Sequence, residues 1–400
     1  PLQAARDKEL NILCWEGYNS DEVLDPFRRD TGAKVSAESG TSDPDMCNKL
    51  RAGEVNVWDL INLNQPWARE ELYPEGLITE LDYDRFAPYF EQMMPAFRGP
   101  MDWAMDLSGN KLIGMAQRFG PFNFVVNTDK VSQKTAEDEG FNIFLDSSMN
   151  KRYGVLTYDN WNIMHMCLTG DLNPFQPMNS AGLRKFKTTA EKIFGGAKLL
   201  TDDLVAMNTA LINGEIDAYF TGGTYTASPA RFDGATNVRG ITPKSGPVNG
   251  KGGVVWIELT SAVNNPNPSK LAESFLEFIQ QPDICKSVAF AEGTYNPVCQ
   301  MGDSNVLNKF NKDDDEKLNS ILNSSEKWLK NLHMIEEIFG NKLEIKKDYK
   351  YELNIDFDFP SWLLKSHLPF DQFKKHSTYE IGYDFKKLNA LRNEVEAYGK

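Results

Sequence analysis

Apolar residues come in short runs that end on turn-forming positions. Leu10, Ile12, Leu13 and Cys14 form one such run, followed by Trp15, Glu16, Gly17 and Tyr18. Its length predicts a short buried strand, with Gly17 turning the chain. Residues 21–31 then take helical spacing through Val23, Leu24 and Phe27, stop at Gly32, and give way to a second strand from Ala33. Further strands are expected at 58–63, 122–126, 154–156, 218–220, 254–256 and 349–356, with helices at 45–52, 203–213 and 269–280 and a helical tail at 385–397. Strands alternating with helices indicate an α/β fold. Ligands of open α/β sheets sit at the carboxyl ends of the strands, which makes Trp15 and Tyr18 candidates.

A second element reinforces this. Gly252 and Gly253 enter a strand in which Trp256 and Glu258 stand two positions apart. A period of two puts ring and carboxylate on one face. An ammonium group is held by ring faces at about 0.5–2 kcal/mol each. Once buried it also needs a paired carboxylate.

The chain has 400 residues, 41% hydrophobic and 25% charged, enough for two cores. Its net charge of −14 lacks the basic footprint of a nucleic-acid binder and suits a cationic ligand. No apolar run reaches the length of a membrane span, and the first residues show no basic and apolar leader. Cys14, Cys47, Cys167, Cys285 and Cys299 are widely spaced and read as small buried hydrophobes. His165, His333, His367 and His376 share no metal-ligand spacing, and no nucleophile-elbow, Walker or dinucleotide motif occurs. No cofactor or metal is therefore expected.

Over about residues 8–305 the chain resembles the polyamine-binding branch of the extracellular solute-binding proteins. The resemblance is carried by the 10–18 stretch, by Trp58-Asp59-Leu60-Ile61 before Trp67, and by 154–159 ending on Asp159. It continues in 218–222 with Phe220 in place of a tryptophan, in Gly252-Gly253-x-x-Trp256-x-Glu258 with glutamate for aspartate, and in 293–297 with Tyr295. It implies ligand contacts from Trp15, Tyr18, Trp67, Asp159, Phe220, Trp256, Glu258 and Tyr295.

The expected fold is a two-lobed periplasmic-binding-protein (venus-flytrap) architecture, each lobe a central sheet flanked by helices. One lobe would hold residues 1–119 and 257–297, the other 120–256 and 298–400. The resemblance implies a periplasmic, monomeric receptor, mature and trimmed of its leader, that binds a small cationic ligand and no nucleic acid. It would deliver a polyamine such as putrescine or spermidine to the membrane permease subunits of an ABC importer, with no catalysis. Many rings and few acids leave open a quaternary amine or betaine as ligand, and a different class, an enzyme on a two-lobed scaffold, stands as the competing reading.

Overall fold

The computed structural model describes residues 6–93, 97–98, 102–173, 179–247, 253–291, 296, 298–303, 305–306, 309, 343–345 and 351–353. Strand β1 (Glu9–Cys14) buries Leu10 and Ile12 to Cys14. Helix α1 (Asp21–Thr31) starts where the Ser20 hydroxyl accepts the Glu22 N–H, and ends at Gly32, whose φ of 67° only glycine adopts freely. Its inner face buries Val23, Leu24 and Phe27, each contributing roughly 1.5–3 kcal/mol. Strand β2 (Lys34–Ser39), helix α2 (Asp43–Arg51) and strand β3 (Leu60–Asn64) follow, and both strands run parallel to β1. A short β4 (Ile78–Thr79) and helix α3 (Tyr83–Glu91) complete this part.

Strand β5 (Met115–Asn127) is buried along its whole length. It is succeeded by α4 (Gln133–Glu139), β6 (Tyr153–Leu156), α5 (Asp159–Thr169), α6 (Ser180–Gly196) and β7 (Leu199–Thr201). Then come α7 (Leu204–Ile212), β8 (Ala218–Gly223), α8 (Thr224–Phe232), β9 (Val238–Ile241), β10 (Val255–Val263), α9 (Ala272–Phe278) and α10 (Pro282–Phe290).

The strand order is β2-β1-β3-β10-β5-β8-β6-β7, with β4 on β10 and β9 on β5. Strand β5 explains how one path makes two lobes. From Met115 to Pro121 it pairs antiparallel with β10; from Phe122 to Asn127 it pairs with β8 and β9. Non-consecutive neighbours joined by helices are the signature of crossover connections, which place helices on both faces of a sheet. The second lobe shows this directly. One face of its sheet carries Phe124, Phe220 and Phe144, and the other buries Met207, Leu211, Tyr219 and Val238 under α7 and α8.

Residues 298–300, which the expected partition gives to the second lobe, contact residues of the first. Arg118 bridges Val298, and Gln300 Nε2 donates to the Ala116 carbonyl and to Gln280 Oε1, both at 2.7 Å. Strands β11 (Leu343–Ile345) and β12 (Tyr351–Leu353) form an antiparallel pair, the latter inside the late strand expected at 349–356. The helical tail expected at 385–397 lies outside the described residues. No helix among the described residues is long and apolar enough to cross a membrane. All five cysteines are buried and unpaired.

Candidate functional site

Sequence candidates from β1 and β10 come together beside the end of β3 in the first lobe's sheet. Trp15 leaves β1 half-buried; its indole Nε1–H donates to Asp43 Oδ1 at 2.7 Å. Asp43 opens α2, and the end of β3 holds it as well: Asn64 N–H donates to Oδ1 at 3.2 Å and Asn64 Nδ2 to Oδ2 at 2.7 Å. Burial pushes the Asp43 carboxyl up to about 6; the hydrogen bonds from Asn64 and Trp15 act the other way, and the nearby Glu258 charge adds to the rise. Strand β10 pairs Glu258 directly opposite Asn64, which brings the β10 acid into the same array.

Glu258 is not a free acid. Arg118 on β5 grips it with Nε to Oε2 at 2.9 Å and Nη2 to Oε1 at 3.0 Å, and both side chains are almost fully buried. The same guanidinium donates from Nη1 to the Glu16 carbonyl at 2.8 Å and lies 4.4 Å from the centre of the Tyr18 ring. The Arg118 backbone N–H donates to Tyr18 Oη at 3.2 Å. Burial opposes the Arg118 charge, but Glu258 and Tyr18 keep its pKa above the ordinary arginine value. Gly17 is obligatory here: its φ is 106°, and a Cβ would stand 2.8 Å from Arg118 Nη1. Tyr18 thus anchors the guanidinium, and Glu258 neutralises it.

Trp256 is half-buried and lies across β5; a Cβ on Gly120 would meet its Cζ2 at 2.9 Å. The register of β10 against β5 shifts between Ile257 and Leu259, and Glu258 takes Arg118 as a partner the pattern did not reveal. Trp67 is buried in the first lobe's core, in the helical turn after β3. Phe220 is fully enclosed by Phe141, Phe144 and His165, with ring centroids 5.2–5.9 Å away, so it supports the wall from behind and cannot touch a ligand. Asp159 begins α5 right after β6, but its side chain lies outside the described residues, as does Tyr295.

The second lobe adds rings that sequence reasoning missed. Tyr158, Trp161 and Tyr225 are half-buried, and Phe122 at the strand crossing packs 4.8 Å from Trp161 and 6.0 Å from Tyr158. Tyr225 opens α8. Its phenol is pushed up to about 12, chiefly by burial, then by Glu16 and Tyr158, with Arg118 opposing and Glu258 adding. The phenol is thus within electrostatic reach of Glu16, Arg118 and Glu258. Behind these rings, His165 Nε2–H donates to the Phe122 carbonyl at 2.7 Å, and burial drives the imidazole down to about 3, so it stays neutral. Its Nδ1 faces Thr221 Oγ1 at 3.0 Å; Thr221 holds a φ of 69°, a strained value for a β-branched residue.

Arg118 carried little signal in the sequence, because Gln117, Gly120, Pro121 and Asn123 interrupt the apolar residues around it. Asp43 carried none, since an acid at a helix start is ordinary. A separate groove of about 530 Å³ between Phe27, Arg85, Tyr89, Glu277, Pro282 and Asp303 shares no residue with this array.

A pair of lobes sharing crossing strands, with rings and acids gathered at the strand ends, is the periplasmic-binding-protein fold, and the solved structures similar to this chain have it. The spermidine/putrescine ABC-transporter substrate-binding protein of Streptococcus pneumoniae superposes with a TM-score of 0.60 at 15% identity, covering 98% of this chain and all of that one. A putative spermidine/putrescine ABC transporter from Listeria monocytogenes gives 0.57 at 15% identity, over 83% of this chain and 98% of the other. Curated homologues carry the name spermidine/putrescine-binding periplasmic protein; the one from Salmonella typhimurium is 22% identical over 301 residues, 74% of this chain and 79% of its own length. No family model matches the chain.

Proposed function

We propose that this protein is the substrate-binding receptor of an ABC importer, that its cargo is a polyamine of the putrescine or spermidine kind, and that it works in the periplasm with membrane permease subunits as partners. The observation that carries the reading is the strand-end array. In this reading Trp15, paired with Asp43, and Trp256 and Glu16 form the first lobe's side of the site, and Tyr158, Trp161 and Tyr225 the second lobe's. Rings offer negative faces to an ammonium, and carboxylates offset its desolvation. Asp159, which opens α5 after β6, joins the proposed contacts, as does Tyr295 on the strength of its sequence motif. The names of the homologues point the same way. Cargo touching both lobes favours the closed arrangement, and closure is what a permease would read.

One observation favours a second cargo, a quaternary amine or betaine: Glu258 is already paired, so the site has fewer free acids than the sequence counted. An enzyme has no such support. His165 is neutral and walled in by rings, and burial raises the Cys14, Cys167, Cys285 and Cys299 thiols out of reach of activation.

Calorimetry with putrescine, spermidine, choline and glycine betaine decides the cargo. The expected result is binding of putrescine or spermidine that weakens as salt is raised. Tight, salt-indifferent binding of choline or betaine instead overturns the polyamine assignment and leaves the receptor role standing.

A further inference from the structure

Among the described residues the buried acids have partners that suit a charge, with one exception. Asp59 is paired with Arg6 and takes backbone N–H groups from Asn11 and Ser269. Glu258 has Arg118. Asp106 closes a tight turn, accepting from Ser108 and from the backbone of Asn110 and Lys111, and its pKa falls below the ordinary value although burial opposes this. Asp43 is 8% exposed, and no basic side chain bonds it among the described residues. A carboxylate has about four lone-pair sites; Trp15 and Asn64 fill three. Beside it, the buried Asn64 Oδ1 has no hydrogen-bond partner. Two acceptors with spare capacity and the flank of an indole thus stand together at the end of β1 and β3. A buried carboxylate without a cation is a cost that a cationic ligand would remove.

We propose that Asp43 is the carboxylate that receives an ammonium group of the cargo, with Asn64 Oδ1 as a second acceptor and Trp15 as the adjoining wall. This rests on the amine-receptor reading and assigns the first lobe's half of the site to Asp43 in place of Glu258. The sequence motif led to Glu258, but Arg118 has spent its charge. The groups facing Asp43 are few. Glu258 of β10 is held by Arg118 of β5, Glu16 beyond Trp15 points to solvent, Asn64 of β3 is neutral, and Cys47 on the same helix is a buried thiol whose pKa burial raises.

A cargo ammonium beside Asp43 stabilises its ionised form, so binding expels the proton that Asp43 carries around pH 6. At pH 5 only about a tenth of the site is ionised, and affinity falls about tenfold relative to pH 7.5. The test is calorimetry with putrescine on the full chain at pH 7.5, 6 and 5, each in two buffers of different ionisation heat, for the parent and Asp43→Asn. The expected result is proton release near pH 6 in the parent, and an Asp43→Asn variant at least about tenfold weaker at pH 7.5 with no pH dependence. Parent affinity flat from pH 7.5 to 5 without proton release overturns the assignment whether or not the variant folds. So does an Asp43→Asn variant that binds like the parent. Failure of the parent to bind any amine overturns the receptor's amine reading itself, a distinct outcome.

Discussion

Glu258 and Arg118 show how one contact changes the meaning of a motif. Alternation along the 254–258 run predicts one face for Trp256 and Glu258, and that Glu258 is a candidate acid was legible in the sequence. The partner was not, because Arg118 lies 140 positions away and meets Glu258 only once β5 and β10 pair. Phe220 reads the opposite way: its position after a strand suggested a contact, but burial among rings was decided by Phe141 and Phe144 from a distant segment. A buried ion pair contributes little net stability while intact, yet removing one partner strands the other charge. Glu258→Gln leaves Arg118 enclosed with one neutral acceptor, and Arg118 also ties Glu16 and Tyr18 to the crossing strand. The expected loss is about 3–5 kcal/mol in urea unfolding, with a smaller deficit when Arg118→Met accompanies it. A Glu258→Gln variant as stable as the parent, yet unable to bind putrescine, would return Glu258 to the role of ligand.

At the scale of elements, short apolar runs located the strands well because burial and length decide them together. The runs at 10–14, 154–156 and 218–220 fall inside β1, β6 and β8. What local pattern could not show is that 122–126 is the second half of a longer strand. The first half, Met115 to Pro121, carries Gln117, Arg118, Gly120 and Pro121, which break the apolar signal; Arg118 is paired with Glu258, and Gln117 Nε2 donates to the Ile279 carbonyl. Gly223 is the tightest point of this arrangement. It pairs with Phe122 where β5 passes between the lobes, and a Cβ there would collide with the Pro121 carbonyl oxygen. Backbone cannot yield as a side-chain tip can. Gly223→Ala should therefore push β8 off β5 at the crossing, at a cost of about 1–3 kcal/mol or more. Gly214→Ala is a useful contrast: nothing lies within 4 Å of its Cβ position, so its cost comes from a φ of 76° alone. Equal thermal shifts for the two variants would show that the crossing is looser than this packing implies.

The whole molecule turns on how few connections join its lobes. Strand β5 is continuous through the crossing, β10 enters the first sheet beside it at Val255 and Trp256, and Val298 bridges Arg118 next to both. Motion between lobes must be absorbed in these short stretches, since the sheets on either side are hydrogen-bonded and packed. The proposed site draws on both sides of this line: Trp15, Asp43 and Trp256 belong to one lobe, and Tyr158, Trp161 and Tyr225 to the other. A ligand that contacts both sides gains its second set of contacts only on closure, so its differential affinity drives the population toward the closed form. The net charge of −14 adds long-range attraction for a cation, which speeds capture at low salt more than it tightens the final complex. Small-angle scattering with saturating putrescine should accordingly give a smaller radius of gyration than the free protein. In Trp161→Ala and Tyr225→Ala, which keep the first-lobe contacts, putrescine should bind more weakly and contract the protein less. Full contraction in those variants would place the closing contacts elsewhere in the second lobe, and an unchanged radius in the saturated parent would remove hinge closure from the mechanism.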